Sequence, residues 1–130
     1  MKAYWDSSAL IEATQTKELR DRLRNEKGIT RSHALAEVFA TLTGNPFCRT
    51  DHEGAVATLE NLYADLEFTD LTPAEVLAAL KTCKRRGVRG GQVHDLLHAA
   101  AADKAGVKEL LTVDVNDFKG LPEKARVVVL

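Results

Sequence analysis

Short apolar runs alternate with helix-like stretches along almost the whole chain. Five segments resemble buried strands: Ala3 to Trp5, Ile29 to Thr30, Glu67 to Leu71, Leu110 to Val113 and Arg126 to Leu130. Consecutive parallel strands need a long crossover, which is usually a helix, and the helices then cover the sheet. The sequence therefore predicts an α/β fold with three α/β/α layers and a central, mainly parallel sheet.

Capping residues and stop signals mark the helices between these strands. Helical patterns cover Lys17 to Glu26, Ser32 to Gly44 and Ala55 to Leu66, where Val56, Leu59, Leu62, Tyr63 and Leu66 are expected on one side. Thr72-Pro73-Ala74-Glu75 has the form of a capping box and predicts a helix that ends at Gly87. Another helix is expected from Gln92 to Ala105. Without a repeat or linker, the 130 residues are expected to form one domain over 1–130 that buries about two-thirds of its unfolded surface.

Targeting and redox signals favour the cytoplasm. The sequence shows no pattern typical of a secretory leader and no run of the roughly 20 apolar residues that a membrane helix needs, so a cytoplasmic protein is expected. Cys48 and Cys83 have no second Cys or His at metal-ligand spacing, so they are expected to be thiols in a reducing compartment.

Charge is unevenly distributed although the net charge is only -1. Residues 50–80 contain acids but no Lys or Arg, and a basic cluster follows that could bind RNA phosphates. The alternative is that these cations stabilise the negative end of a helix dipole. The cluster consists of Lys81, Lys84, Arg85, Arg86 and Arg89.

Four acidic residues lie where a parallel sheet would gather them. Asp6 and Asp114 follow predicted strands, and ligands of such sheets bind beyond the carboxyl ends of the strands. Glu37 and Asp95 lie on helices that could cover this edge. Two like charges about 4 Å apart repel by about 4 kcal/mol at an effective dielectric near 20, so clustered carboxylates hold either protons or cations. A divalent cation is the simplest partner.

Each of these acids also has an ordinary structural interpretation. Asp6 could be a helix N-cap, and Glu37 a solvated helix residue. Asp95 could favour the positive end of a helix dipole, and Asp114 could begin a turn.

Other side chains suggest weaker alternatives. His94 and His98 are four residues apart on a helix, but the HExxH glutamate and an evident third ligand are missing, which disfavours zinc. They could instead pack or lie near substrate. Trp5 and Phe118 could stack on bases, although their apolar neighbours favour core packing.

Four motifs, in order, carry a family resemblance. They are Asp6-Ser-Ser-Ala-Leu, Ser32-His-Ala-Leu-Ala-Glu37, His94-Asp95-Leu-Leu-His-Ala-Ala-Ala-Ala and Leu111-Thr-Val-Asp114-Val-Asn-Asp117-Phe118. Together they resemble the PIN domain family, and within it the small VapC-type toxins of type II toxin-antitoxin systems.

The resemblance implies a Mg²⁺- or Mn²⁺-dependent endoribonuclease, often a homodimer, held inactive by a cognate antitoxin. Hydrolysis would leave a 3′-hydroxyl and a 5′-phosphate. Mg²⁺ prefers hard oxygen ligands, which fits the acids. Asp6 and Asp95 are expected to be the main metal ligands, with Glu37 and Asp114 orienting water or binding a second ion. The resemblance further assigns supporting roles to Ser7, Thr112 and Asp117.

Two other functions compete with this one. A non-catalytic PIN-like module would bind RNA or a protein through the same surface. A phosphoacceptor receiver-like domain would need an acidic pair near the first strand, and Asp6 has no adjacent acid.

Overall fold

The protein is built around a five-stranded parallel sheet, so the predicted α/β class and parallel sheet are confirmed. The computed structural model describes residues 2–130, with the side chains of Val115 and Asp117 excepted. The strands are β1 (Ala3–Trp5), β2 (Gly28–Thr30), β3 (Leu66–Phe68), β4 (Glu109–Thr112) and β5 (Arg126–Val129). Their order across the sheet is β3-β2-β1-β4-β5. Tyr4 pairs with Ile29 on one side and Leu110 on the other, so β1 is the central strand.

Helices connect successive strands and cover both faces of the sheet. None of those in residues 2–130 is long and apolar enough to cross a bilayer. In chain order they are α1 (Ser7–Gln15), α2 (Lys17–Glu26), α3 (His33–Gly44), α4 (His52–Tyr63), α5 (Pro73–Leu80), α6 (Cys83–Arg86), α7 (Val93–Ala105) and α8 (Val115–Phe118), with a 3₁₀ turn at Gly90–Gln92 before α7.

Two apolar clusters lie on opposite faces of the sheet. Successive strand side chains alternate between faces, so Trp5 joins the cluster formed with α1 to α4, and Tyr4 joins the one formed with α7 and α8. Trp5 and Phe118 are both buried in the core. The packing interpretation of these two aromatic residues is therefore confirmed.

Close packing of β1 and α2 explains the glycine that begins β2. A Cβ atom on Gly28 would lie 2.5 Å from Leu23 Cδ1 and 2.9 Å from Trp5 Cδ1. Both distances are below van der Waals contact. Any side chain at this position would therefore force the core to move.

The predicted helix from Thr72 to Gly87 is interrupted. Its capping box is present, because Thr72 Oγ1 accepts from the Glu75 N–H and Glu75 accepts from the Thr72 N–H. However, α5 ends at Leu80 and α6 follows after two residues, ending at a left-handed Gly87. Because of this interruption, the basic residues Lys84, Arg85 and Arg86 lie on a separate helix, α6.

Three other elements differ from the sequence predictions. Helix α4 begins three residues earlier than predicted, after the N-cap Asp51, and ends at Tyr63. Val56 and Tyr63 are exposed, so the predicted apolar stripe of this helix was partly wrong. Strand β3 ends at Phe68 rather than at Leu71, and α8 was not predicted.

Candidate active site

Asp6 is held at the carboxyl end of the central strand, where α1 begins. As the N-cap of α1, its Oδ1 accepts from the Ala9 N–H at 2.8 Å and from the Ser8 hydroxyl at 2.7 Å. Its Oδ2 accepts from the Thr112 hydroxyl at 2.7 Å. The N-cap interpretation is confirmed, but the side chain also reaches across to β4. Both carboxylate oxygens are therefore fixed in position.

The Asp6 carboxyl group is almost completely buried, with 4% of the residue exposed. Burial raises its pKa above the ordinary aspartate value, although hydrogen bonds from Ala9, Thr112 and Ser8 oppose this effect. No Lys or Arg is paired with Asp6 among the ion pairs of the described residues. A cation bound here would offset the cost of keeping the carboxylate charged.

Thr112 connects Asp6 to the segment that follows β4. Its hydroxyl oxygen accepts from the Asp114 N–H at 3.2 Å and lies 3.2 Å from the Ser8 hydroxyl oxygen. The Val113 N–H donates to Ser8 at 3.1 Å. The Asp114 carboxylate is exposed and caps α8 by accepting from the Asn116 N–H at 3.0 Å. The backbone of Asp114 is therefore connected to the Asp6 carboxylate through the Thr112 hydroxyl.

Glu37 reaches the same edge from α3 and is half-buried. Its Oε1 lies 2.8 Å from His98 Nε2, and its Oε2 lies 3.4 Å from the Ser7 hydroxyl. Burial alone would raise the pKa of Glu37, but the hydrogen bond from His98 and the nearby His33 and His94 rings hold it below the ordinary value. Glu37 is therefore ionised at neutral pH.

His98 joins this glutamate to the central strand. Its Nδ1 lies 2.6 Å from the hydroxyl of Tyr4, and both residues are buried. Asp95 is half-buried one helical turn before His98 on α7, so the two residues are neighbours on the helix surface. The rings of His33 and His94 stack with centroids 5.4 Å apart. The acids are therefore bordered by histidines from two helices.

This donor set fits Mg²⁺ or Mn²⁺ in its chemistry, since carboxylate oxygens are the ligands that such hard cations prefer. The side chains do not form a closed coordination shell, because no group of three or more Asp, Glu, His or Cys is placed to hold a metal ion in the described part of the chain. Mg²⁺ commonly retains several waters and takes only one or two carboxylates, so a closed shell is not required.

The structure links most of the predicted site residues in two hydrogen-bonded groups. Thr112 bonds Asp6, and Ser7 lies beside Glu37 rather than Asp6. Ser8 was not predicted as a site residue, although its hydroxyl donates to Asp6. The sequence shows two consecutive serines, but it does not show which of them faces β4. The sequence analysis also missed His98 as the hydrogen-bond partner of Glu37. The side chain of Asp117, a predicted supporting residue, lies outside the described residues.

The basic cluster does not behave as one group. The guanidinium of Arg86 donates to the backbone oxygens of Gly120 and Leu121 and so helps to hold the loop before β5. The other four side chains are in exposed residues, Lys81, Lys84, Arg85 and Arg89. Within the basic cluster, these four residues are therefore the more accessible ones for binding RNA.

Comparison with known proteins identifies the family. The model of the PIN domain matches residues 3–124. The chain belongs to the PIN domain family. PIN domains are generally nucleases that use divalent metal ions. Among curated protein sequences, none matches this PIN domain.

Two solved structures are similar to this PIN domain in fold. The crystal structure of PAE2754 from Pyrobaculum aerophilum has a TM-score of 0.71 at 20% identity, covering 98% of this chain and 90% of that chain. The crystal structure of VapBC2 from Rickettsia felis bound to a DNA fragment from their promoter has a TM-score of 0.73 at 17% identity, covering 100% and 99%. At these identities the similarity concerns the fold.

Proposed function

We propose that this PIN domain is a metal-dependent endoribonuclease that hydrolyses RNA phosphodiester bonds as the toxin of a VapBC-type toxin-antitoxin pair. The observation that carries the proposal is the buried Asp6 carboxylate at the carboxyl end of the central strand. Three protein donors hold it there, and its pKa is raised by burial. A fixed, desolvated carboxylate is suited to binding a cation.

Asp6 and Asp95 would be the main ligands of Mg²⁺ or Mn²⁺, with Glu37 and Asp114 as further acids. When bound, such a cation stabilises negative charge on the phosphate and favours deprotonation of an attacking water. The protein itself supplies the positioning. Ser8 and Thr112 fix the Asp6 oxygens, whereas His98 fixes Glu37. Asp117 and Ser7 remain proposed supporting residues from the family pattern.

The deciding experiment is cleavage of total cellular RNA by the purified chain with Mg²⁺, Mn²⁺ or EDTA. We expect discrete products with 5′-phosphates that require a divalent cation and disappear in Asp6→Asn and Asp95→Asn. These variants keep the size of the side chain but remove its charge, so cation binding is lost while the fold is retained.

Asp21→Asn is the matched control, because Asp21 is a partly exposed α2 residue paired with Lys17, outside the candidate site. It should cleave RNA like the unchanged chain. If the well-folded protein cleaves nothing with either cation, the nuclease proposal fails. RNA binding without cleavage would then favour a non-catalytic module.

An antitoxin and a second copy of the chain are the proposed protein partners. The similarity in fold to VapBC2 supports the antitoxin, and the motif resemblance supports the homodimer. We assign both assemblies to the cytoplasm, where the free thiols Cys48 and Cys83 would stay reduced. Co-expression with a neighbouring short reading frame tests the antitoxin: a stable complex should form and RNA cleavage should fall.

A further inference from the structure

We propose that Tyr4 and His98 form a buried hydrogen-bonded relay that positions Glu37 for cation binding. This inference rests on the proposed function, since it concerns how one of the acids is held. Neither residue touches substrate, so both are positioning residues rather than catalytic ones. The relay runs from the central strand through α7 to α3.

The relay is continuous in the structure. The Tyr4 hydroxyl oxygen lies 2.6 Å from His98 Nδ1, and His98 Nε2 lies 2.8 Å from Glu37 Oε1. Tyr4 is 0% exposed and His98 is 1% exposed, so water does not compete for these bonds. The Glu37 side chain is 24% exposed, so the relay runs from a fully buried tyrosine to a partly exposed carboxylate.

The two ring nitrogens of His98 have different partners. An ionised carboxylate only accepts hydrogen bonds, so Nε2 donates to Glu37. Nδ1 is paired with the hydroxyl of Tyr4. With both ring nitrogens paired, His98 is held in one orientation.

This arrangement is not explained by packing alone. The side chain of Tyr4 lies in the apolar cluster with Ile29 and Leu110, and a Phe there would bury the same ring. Placing a hydroxyl and an imidazole in such a cluster is unfavourable unless both are paired. Their pairing leads to one carboxylate oxygen of Glu37, which explains why polar groups are present at these positions.

The relay engages Oε1 of Glu37 and leaves Oε2 outside the bond to His98. Oε2 accepts from the Ser7 hydroxyl at 3.4 Å. With Oε1 fixed by His98, rotation of the carboxylate is restricted before any cation arrives. Partners that orient metal ligands are typically worth about 10-fold to 100-fold in metal affinity.

Direct Mn²⁺ binding by calorimetry on the full chain tests the relay without RNA. Tyr4→Phe removes one hydroxyl and should weaken Mn²⁺ affinity roughly fivefold, the effect of one hydrogen bond. Tyr63→Phe is the matched control, because Tyr63 is exposed and this substitution removes the same atom from a residue outside the relay. It should bind Mn²⁺ like the unchanged chain.

Variants of His98 separate positioning from general structural damage. His98→Leu removes the donor and should weaken Mn²⁺ affinity about 10-fold to 100-fold. His98→Gln keeps an N–H near the position of Nε2 and should recover part of this loss. In a Glu37→Gln background, neither His98 variant should lower the affinity further, because the positioned carboxylate is gone.

The outcomes distinguish the relay from the proposed function. If the unchanged chain binds Mn²⁺ but Tyr4→Phe and His98→Leu bind equally well, the relay is overturned and the metal-dependent function stands. Equal losses with and without the Glu37→Gln change would also overturn it, because the effect would then be structural. If the unchanged chain binds no Mn²⁺, the metal-dependent function fails and the relay fails with it. If His98→Leu does not fold, Tyr4→Phe alone decides.

Discussion

At the scale of single residues, the candidate site contains a group that destabilises the fold. Asp6 is buried where its charge is desolvated, and its three hydrogen bonds do not bring its pKa back to the ordinary value. Active sites commonly hold such unfavourable groups, so removing them stabilises a protein while function is lost. Asp6 is therefore the residue at which stability and function should separate most clearly.

We expect Asp6→Asn to raise the free energy of unfolding of the metal-free protein by roughly 0.5–2 kcal/mol at neutral pH. The amide avoids the cost of a buried charge, and its oxygen still accepts from the Ala9 N–H as an N-cap. Urea unfolding in EDTA measures the change. Asp114→Asn, an exposed N-cap with the same substitution, should change stability by less than about 0.5 kcal/mol.

The difference in unfolding free energy between Asp6→Asn and the unchanged chain should depend on pH. Because the pKa of Asp6 is raised in the folded state, its protonated form favours folding, and that stability is lost as pH rises through the folded pKa. The advantage of Asp6→Asn over the unchanged chain should therefore grow with rising pH. If the stability advantage of Asp6→Asn became smaller as pH rose, burial of the Asp6 carboxylate could not be its cause.

The sequence predicted where Asp6 and Asp114 lie in the fold better than it predicted the hydrogen-bond partners in the candidate site. Asp6 and Asp114 follow apolar strands, which is a local pattern, so their places could be read from the chain. The His98–Glu37 contact joins residues that are 61 positions apart, and it depends on how α3 and α7 are packed. Similarly, whether Ser7 or Ser8 faces β4 depends on the direction in which α1 leaves the sheet.

At the scale of elements, helix starts were easier to predict than interruptions. The capping box at Thr72 and Glu75 is a local signal and is present as predicted. The break after Leu80 has no Gly or Pro to mark it. The Thr82 hydroxyl and N–H both bond Ala79 O, at 2.7 Å and 3.0 Å, and this local alternative competes with a continuous helix.

The packing of β2 against α2 gives a prediction at this scale. Gly28→Ala should lower the free energy of unfolding by about 1–3 kcal/mol, because the new Cβ meets Leu23 and Trp5. Gly44→Ala is the matched control, since nothing lies within 4 Å of its added Cβ at the end of α3. It should be neutral or stabilising by up to about 1 kcal/mol. Equal unfolding midpoints for both variants would refute the packing argument.

At the scale of the whole molecule, charge is distributed unevenly on a chain of net charge -1. Four cations around α6 are in exposed residues, whereas Arg86 is used within the fold. Phosphate binding would therefore be local rather than spread over the surface. The same division means that changing all five residues together would mix RNA binding with stability.

Replacing Lys81, Lys84, Arg85 and Arg89 by Gln should weaken RNA affinity and flatten its dependence on salt. Each lost phosphate contact reduces the slope of log affinity against log salt by about 0.7 for single-stranded RNA. Fluorescence anisotropy over a salt series measures this. The control changes four exposed cations elsewhere, Lys17, Arg24, Lys108 and Lys124, to Gln. An equal effect from both sets would show that no local patch exists.

The hydrogen bond from Thr112 to Asp6 joins residues 106 positions apart. Thr112 is translated 106 residues after Asp6, so Asp6 leaves the ribosome well before its partner on β4. A nascent chain that ends before β4 therefore contains Asp6 without the threonine that bonds it. If the proposed activity is correct, synthesis itself delays it: the chain becomes able to attack RNA only after β4 has been translated.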